Sequence, residues 1–272
     1  VTAFEERAEE GRFLLVAPRF AAAVKSLGLP EPEALAPLLS GADASRGRGA
    51  TAIVALPGTG ARLHLRPVRH GGLLAGVLGR ALLGLSRPIR ELRVTAALGA
   101  AGAPVPTPVL VVGERLAGPV WTAAVGTVHE EDARDGVAFL ETGPDRARRL
   151  SAAAAAGRAV RRFHDAGGRH FDLHVKNLLF RETPEGTEAL VIDLDRARLV
   201  PRISASRRMT ELMRLYRSLL KRELLPSVGP RGCARFFGAY VGGDRALRRA
   251  LLAHLPREQR RVRLHAFAYR RP

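Results

Sequence analysis

Asp172 and Asn177 stand five residues apart, and Asp193 follows sixteen residues after the asparagine. The first two lie in Arg169-His170-Phe171-Asp172-Leu173-His174-Val175-Lys176-Asn177-Leu178-Leu179-Phe180, the third in Leu190-Val191-Ile192-Asp193-Leu194-Asp195-Arg196. Each motif sets a carboxylate or an amide against an apolar run. This spacing suits phosphoryl transfer. One aspartate accepts the proton of an attacking hydroxyl; an asparagine five residues on and an aspartate at the end of the next strand hold the nucleotide's metals. A loop held by side-chain caps would use the same residue types. Asp193 at its expected place favours the chemical reading.

These residues need a scaffold that feeds a loop into a hairpin. Leu150 to Asp165 supplies the clearest helix, rich in alanine and arginine, both strong helix formers, and Ala166-Gly167-Gly168 ends it. The first motif follows at once, then a strand over Leu178–Phe180, a charged turn, and a strand over Ala189–Leu194. Upstream, Ala52–Leu56 and Arg62–Arg66 flank Pro57-Gly58-Thr59-Gly60 and read as a hairpin. Before it, Gly47 and Gly49 sit in a small, flexible stretch where backbone N–H groups can approach phosphate. A plain flexible loop is the alternative there; the hairpin just behind it favours phosphate. A helix is expected over Leu73–Leu85. A second begins near Arg87-Pro88, with proline at its start, and carries Glu91. A glutamate in a first turn is also simply well placed for the helix dipole. Strands are expected at Phe13–Val16, Thr107–Val112 and Val120–Val128, followed by a linker near Thr127–Glu131 and a helix over Asp132–Leu140. Helices follow over Ser204–Leu225, Arg231–Tyr240 and Asp244–Leu255, then a basic tail.

The formal charge is +18, and lysine occurs only at Lys25, Lys176 and Lys221. Such a chain attracts anions, whether nucleic acid, phospholipid headgroups or a charged substrate. Neither zinc-finger spacing nor the aromatic–basic interleaving of an RNA-reading sheet is present, so specific nucleic-acid binding is not expected. The single cysteine, Cys233, excludes an intrachain disulfide and fits a reducing compartment. The acidic residues within 1–10 are unlike a signal peptide, and no run has the length and apolarity of a membrane span.

Taken together, the motifs resemble the lipopolysaccharide kinase family, most closely the 3-deoxy-D-manno-octulosonic acid (Kdo) kinases. The resemblance rests on Asp172-Leu173 with Asn177-Leu178-Leu179, on Val191-Ile192-Asp193-Leu194-Asp195-Arg196, and upstream on Gly47-Arg48-Gly49, Leu65–Gly72 and Arg87-Pro88-x-Arg90-Glu91. It implies an α+β, protein-kinase-like bilobal fold. Residues 1–128 would form a small antiparallel-sheet lobe with the phosphate loop, and residues 129–272 a mostly helical lobe with the catalytic and metal-binding loops. It implies ATP and Mg²⁺ as cofactors. Gly47 and Gly49 would cover the phosphates, and Arg66, paired with Glu91, would contact them. Asp172 would be the base, and Asn177 and Asp193 would bind magnesium. Asp195 and Arg196 would support the metal site, and Lys176 would reach a phosphate or carboxylate. His174 departs from the Kdo-kinase pattern and gives Asp-Leu-His, as in aminoglycoside phosphotransferases. The expected reaction is phosphorylation of a sugar hydroxyl on Kdo–lipid A or a related anionic glycolipid. The expected location is cytoplasmic, peripheral on the anionic inner face of the inner membrane. The alternatives are another small-molecule phosphotransferase and a non-catalytic kinase-like binding protein.

Overall fold

A computed structural model describes residues 3–31, 33–35, 38, 51–69 and 81–269, with side chains as far as residue 262. Gly47, Gly49, His70 and most of the expected Leu73–Leu85 helix lie outside the described residues. The chain divides into two compact units: Val1–Ala100 with Pro106–His129, and Ala101–Val105 with Glu130–Pro272. The short Ala101–Val105 piece belongs with the second unit because Pro104 C=O accepts the Val191 N–H there (2.8 Å).

The first unit is built on an antiparallel sheet. Its strands are β1 (Glu5–Glu9), β2 (Arg12–Val16), β3 (Ala52–Ala55), β4 (Arg62–Pro67), β5 (Leu82–Leu83), β6 (Pro108–Ala117) and β7 (Val120–Val128). The order is β1-β2-β6-β7-β4-β3, with β5 on β7. Both faces are covered, which is why β2 and β6 read as unbroken apolar runs rather than alternating ones. Leu14, Val16, Leu63, Leu65 and Leu110 pack on one face with Phe20 and Val24. Phe13, Leu15, Val111 and Val125 pack on the other. There they meet Leu92 of α2 (Ser86–Ala100); the short α1 (Ala21–Ser26) carries Val24.

Two strand assignments differ from expectation. β1 has every side chain exposed, so no apolar pattern marks it; its backbone pairing with β2 makes it a strand. Leu82–Leu83 pairs with Val120–Trp121 instead of ending a helix. Gly84, at φ +78°, turns the chain immediately afterwards.

The second unit is mostly helical. α3 (Gly136–Glu141) follows the two-residue strand β8 (Arg134–Asp135), then come α4 (Arg146–Asp165), α5 (Ala205–Lys221), α6 (Leu225–Val241) and α7 (Arg245–Tyr269). Asp135 caps α3 by accepting from the Val137 and Ala138 N–H groups, and Asp145 caps α4 through the Arg148 N–H, each satisfying amides that a helix start leaves open. β10 (Leu178–Thr183) pairs with β11 (Gly186–Val191) and with β8; a two-residue ladder joins β9 (Gly168–Arg169) to β12 (Arg198–Leu199). α4 packs on α6 and β11, and α5 on α7. α7 runs through Pro256 to Tyr269, past the expected end at Leu255. Within α6, Gly229 (φ +66°) and Pro230 mark a kink.

α4, α5, α6 and α7 line an apolar pocket of about 590 Å³, half open to solvent and bordered by Ala153, Leu212, Leu219, Phe236 and Leu252. Val175 and Leu178, on either side of Lys176 and Asn177, form part of its wall.

Candidate functional site

In the sheet unit, β4 alternates inward leucines with outward polar residues, so Leu63 and Leu65 are buried while Arg66 reaches the surface layer. Arg66 Nη2 donates to Glu91 Oε1 of α2 at 2.6 Å. Glu91 is buried, with its side chain 8% exposed, against 32% for Arg66. The carboxylate thereby fixes one edge of a guanidinium, a planar fork whose geometry suits phosphate and carboxylate. His64, two residues earlier on β4, lies 6.3 Å ring to ring from His129. Burial, His129 and Arg66 bring its pKa down to about 4.

In the helical unit, two hydrogen bonds tie the two motifs together, and two more brace the Asp172 loop from within. His170 is fully buried. Its Nδ1 accepts the Asp172 N–H (3.3 Å), so its Nε2–H donates to Ile192 C=O (2.9 Å). Asn177 C=O accepts the Ile192 N–H (3.0 Å). Asn177 Nδ2 donates to the Asp172 carbonyl (3.0 Å). The asparagine is buried, and with its nitrogen committed inward its amide oxygen is the atom left to face a cation. The Asp193 carboxylate is exposed one residue beyond Ile192. A carboxylate plus an amide oxygen suits Mg²⁺, which takes few protein ligands and keeps waters and substrate phosphates. Among the described residues no group of three or more His, Cys, Asp or Glu is placed to hold a metal.

Both loops carry backbone strain beside these residues. Phe171 (φ +64°) and Asp193 (φ +60°) are non-glycine residues in the left-handed region, a conformation that persists only where surroundings enforce it. It also ends β11 at Val191, short of the expected Leu194. Phe171 is held by its neighbours: its N–H donates to Glu211 Oε1 (3.0 Å), its carbonyl accepts from Arg214 Nη1, and Arg169 stacks on its ring at 3.9 Å.

Glu211 is the residue that sequence reasoning missed. Its Oε2 accepts the His170 N–H (3.2 Å) and faces His164 Nε2 (3.2 Å). His164 Nδ1 in turn lies 2.7 Å from the Tyr240 hydroxyl. Burial pushes the Glu211 carboxyl up, but the bonds from His164, Phe171 and His170 outweigh it and hold the group below its ordinary value. Burial pushes His164 down despite Glu211. The pair is therefore an ionised carboxylate beside a neutral imidazole, with Tyr240 O–H donating to Nδ1. Burial raises Tyr240 to about 12, which keeps that proton in place. One sequence signal was available: Glu211 is the only acidic residue between Ser204 and Arg222.

The remaining candidates stand around this core. The Asp172 side chain is 47% exposed; His174 Nε2 lies 3.8 Å from its Oδ2, beyond hydrogen-bond length. Burial lowers the His174 pKa. Lys176 and Arg196 are exposed and Asp195 half-buried. Two arginines of the basic α5 face turn inward: Arg208 pairs with Asp165 (2.7 Å), and Arg214 bonds the Phe171 carbonyl.

Three comparisons show what the chain is similar to. The model of the lipopolysaccharide kinase (Kdo/WaaP) family matches residues 43–240. The 3-deoxy-D-manno-octulosonic acid kinase of Actinobacillus succinogenes (strain ATCC 55618 / DSM 22257 / CCUG 43843 / 130Z) is 33% identical over 113 residues, covering 41% of this chain and 45% of that protein. The match thus spans less than half the length of that kinase. A solved structure of WaaP in complex with acyl carrier protein superposes with a TM-score of 0.60 at 20% identity, covering 92% of this chain and 98% of the other. That likeness gives the fold: α+β and kinase-like, with a small antiparallel sheet and a mostly helical part.

Proposed function

This chain belongs to the lipopolysaccharide kinase (Kdo/WaaP) family, and on that premise we propose that it transfers the γ-phosphoryl group of ATP to a hydroxyl of Kdo carried on lipid A. The observation that carries the reading is the pair of hydrogen bonds that join the Asp172 loop to the Asp193 turn through His170 and Asn177. A loop that served only as a connection would not need two non-glycine residues in the left-handed region to present Asp172 and Asp193.

In this reading the Asp172 carboxylate orients the acceptor hydroxyl and takes its proton. Asn177 and Asp193 would hold Mg²⁺, which when bound neutralises charge on the transferring phosphate. Arg66, fixed by Glu91, contacts phosphate oxygens, and Gly47 and Gly49 cover them. Lys176, Asp195 and Arg196 line the approach as supporting groups. Transfer of this kind has little covalent chemistry for the protein to perform, so positioning and charge do most of the work.

The test is radiolabelled ATP transfer screened over Kdo–lipid A, free Kdo and aminoglycosides, with mass localisation of the phosphate. Asp172→Ala is expected to lower turnover by roughly 10²-fold or more while keeping the fold and ATP affinity. Asp172→Asn, which keeps the shape without the proton acceptor, is expected to be nearly as poor. Parental turnover by Asp172→Asn would remove the base assignment. Phosphate on the aminoglycosides alone would favour the second reading, a small-molecule phosphotransferase, for which the Asp172-Leu173-His174 sequence is the specific support. No transfer to any acceptor, with ATP still bound, would favour a kinase-like binding protein.

We place the working protein at an anionic membrane surface on the cytoplasmic side, drawn there by its charge. No helix among the described residues is long and apolar enough to cross a membrane. An acyl-bearing partner, of the kind named in the WaaP complex, fits the reading as well. The helical unit's apolar chamber of about 590 Å³ falls in the size range of small-molecule sites.

A further inference from the structure

One row of side chains on α5 holds the Asp172 loop. Glu211, Arg214, Ser218 and Arg222 follow one another at intervals of three, four and four residues, the spacing that puts side chains on a single helix face. The first three each grip the loop's backbone. Glu211 accepts the His170 and Phe171 N–H groups, Arg214 donates to the Phe171 carbonyl, and Ser218 Oγ accepts the Val175 N–H at 2.9 Å. Arg222 is the fourth member, one turn past Ser218. It is exposed, and among the described residues its side chain takes no hydrogen bond or ion pair. The helix stops here: Arg222 is the C-cap, and Glu223 turns the chain away in the left-handed region (φ +58°), a conformation that glycine usually supplies at a helix end.

The helix dipole favours a cation at a helix C-terminus in any case. It does not explain the neighbours of this one. His174 Nε2 lies 3.8 Å from Asp172 Oδ2. Burial acts most on that ring, and the charges that act on it are those of Asp172, His170, Arg222 and Asp193. Lys176, two residues from His174, does not figure among them. Arg222 thus stands at the rim of the loop that presents Asp172, and other arginines nearby are committed: Arg208 to Asp165, Arg214 to the Phe171 carbonyl and Arg169 to the Phe171 ring. An acceptor hydroxyl has to be brought against the Asp172 carboxylate. An acceptor that is itself an acid is repelled there unless a cation beside it receives its charge. A guanidinium receives a carboxylate through two parallel N–H···O bonds.

We propose that Arg222 is the acceptor-specificity residue of this site, binding the carboxylate of a sugar acid and so setting a neighbouring hydroxyl against Asp172. The inference rests on the sugar-kinase reading and deepens it by naming the group that selects an acid over a neutral sugar. The same cation turns away an aminoglycoside, whose ammonium groups meet a like charge.

The test compares the methyl glycoside of Kdo with its carboxamide, which keeps the hydroxyls and lacks the charge. Transfer from radiolabelled ATP gives KM and kcat on the full chain. Calorimetric titration of each glycoside with Mg–ADP present gives binding without transfer. The parent is expected to bind the acid about tenfold or more tightly than the amide, the scale of a hydrogen-bonded charge. Arg222→Gln should raise KM and Kd for the acid by a similar factor and leave the amide, ATP affinity and thermal midpoint unchanged. Arg222→Lys should restore part of the discrimination. Equal binding of acid and amide by the parent, a loss in Arg222→Gln that is as large for the amide, or a loss of ATP affinity would each overturn the proposal. So would discrimination that survives in Arg222→Gln and vanishes in Lys176→Gln. An Arg222 dependence seen with Kdo–lipid A and not with the glycoside would assign the cation to a lipid A phosphate, and overturn it too. Acid-selective binding that needs Arg222, with no phosphate transferred, would leave the subsite assigned and count against the kinase reading instead.

Discussion

One carboxylate fastens the candidate loop from beneath. Glu211 accepts two consecutive backbone N–H groups, those of His170 and Phe171, and faces the His164 imidazole. It therefore acts on Asp172 through the loop rather than on substrate. Glu211→Ala would strand three buried donors and should destabilise the helical unit by about 3–5 kcal/mol, the scale for removing one partner of a buried charged set. Glu211→Gln keeps the volume and one acceptor oxygen. We expect it to fold, to bind ATP near the parental affinity, and to lose turnover. Calorimetric ATP titration beside steady-state kinetics separates these, and a parental kcat would limit Glu211 to stability.

His64 gives a prediction in pH. Its folded pKa lies near 4, against an ordinary value of 6.5. Between those limits the unfolded chain takes up a proton that the folded one refuses, so stability falls as pH drops through this window. Amide exchange at β4 and β7 should accelerate from pH 6.5 towards 4, after correction for intrinsic rates. In His64→Gln the dependence should flatten. An unchanged slope would place the titration elsewhere.

α4 and α6 pack closely enough to exclude a side chain. Gly157 lets the helices approach so closely that a Cβ there would lie 2.3 Å from the Phe236 carbonyl oxygen and 3.0 Å from the Tyr240 nitrogen. Alanine at an interior helix position normally gains about 1 kcal/mol over glycine. Here the clash is with backbone, which cannot rotate away, so Gly157→Ala should destabilise by about 1–3 kcal/mol. It should also loosen the Tyr240–His164 contact. A urea midpoint above the parental one would contradict this packing.

Elements also show what a reader of sequence can and cannot see. The placement of Asp172, Asn177 and Asp193 is legible because they belong to one local loop-and-hairpin unit, where spacing along the chain is spacing in space. The Arg66–Glu91 pair was legible only through resemblance, since a strand and a helix meet there across 25 residues. Glu211 was not found, because its partners His164 and His170 come from other elements 47 and 41 residues away. β1 was missed because its pairing is entirely backbone. β11 was drawn too long because Ile192 and Leu194 continue its apolar run while the backbone turns at Asp193. α7 was drawn too short because Pro256 reads as a stop, yet the helix continues through it.

At the scale of the whole molecule, part of the basic charge is consumed inside the fold. Arg208 and Arg214 are spent inside the helical unit, which leaves α5 with a smaller basic face than its sequence advertises. Arg207, Lys221 and Arg222 remain exposed on or beside it. These should contribute a salt-sensitive attraction to anionic vesicles that fades as ionic strength rises. Neutralising all three with glutamine should reduce low-salt vesicle binding and flatten its dependence on ionic strength; unchanged binding would place the attraction elsewhere.

The chamber among α4, α5, α6 and α7 makes the two units unequal in a mechanical sense. The apolar walls of this half-open pocket leave space that water fills poorly and that unfolding eliminates, and hydrostatic pressure favours the smaller state. Under pressure the helical unit should yield first, while the sheet unit, with both faces packed, holds. Because Val175 and Leu178 line the chamber, the loop bearing Asn177 should be among the first parts to shift. High-pressure NMR would follow this as early movement of Val175 and Leu178 resonances relative to Leu63 and Leu110. Ala153→Leu, which fills part of the space, should raise the pressure midpoint of the helical unit alone; no change would mean that the chamber already holds solvent.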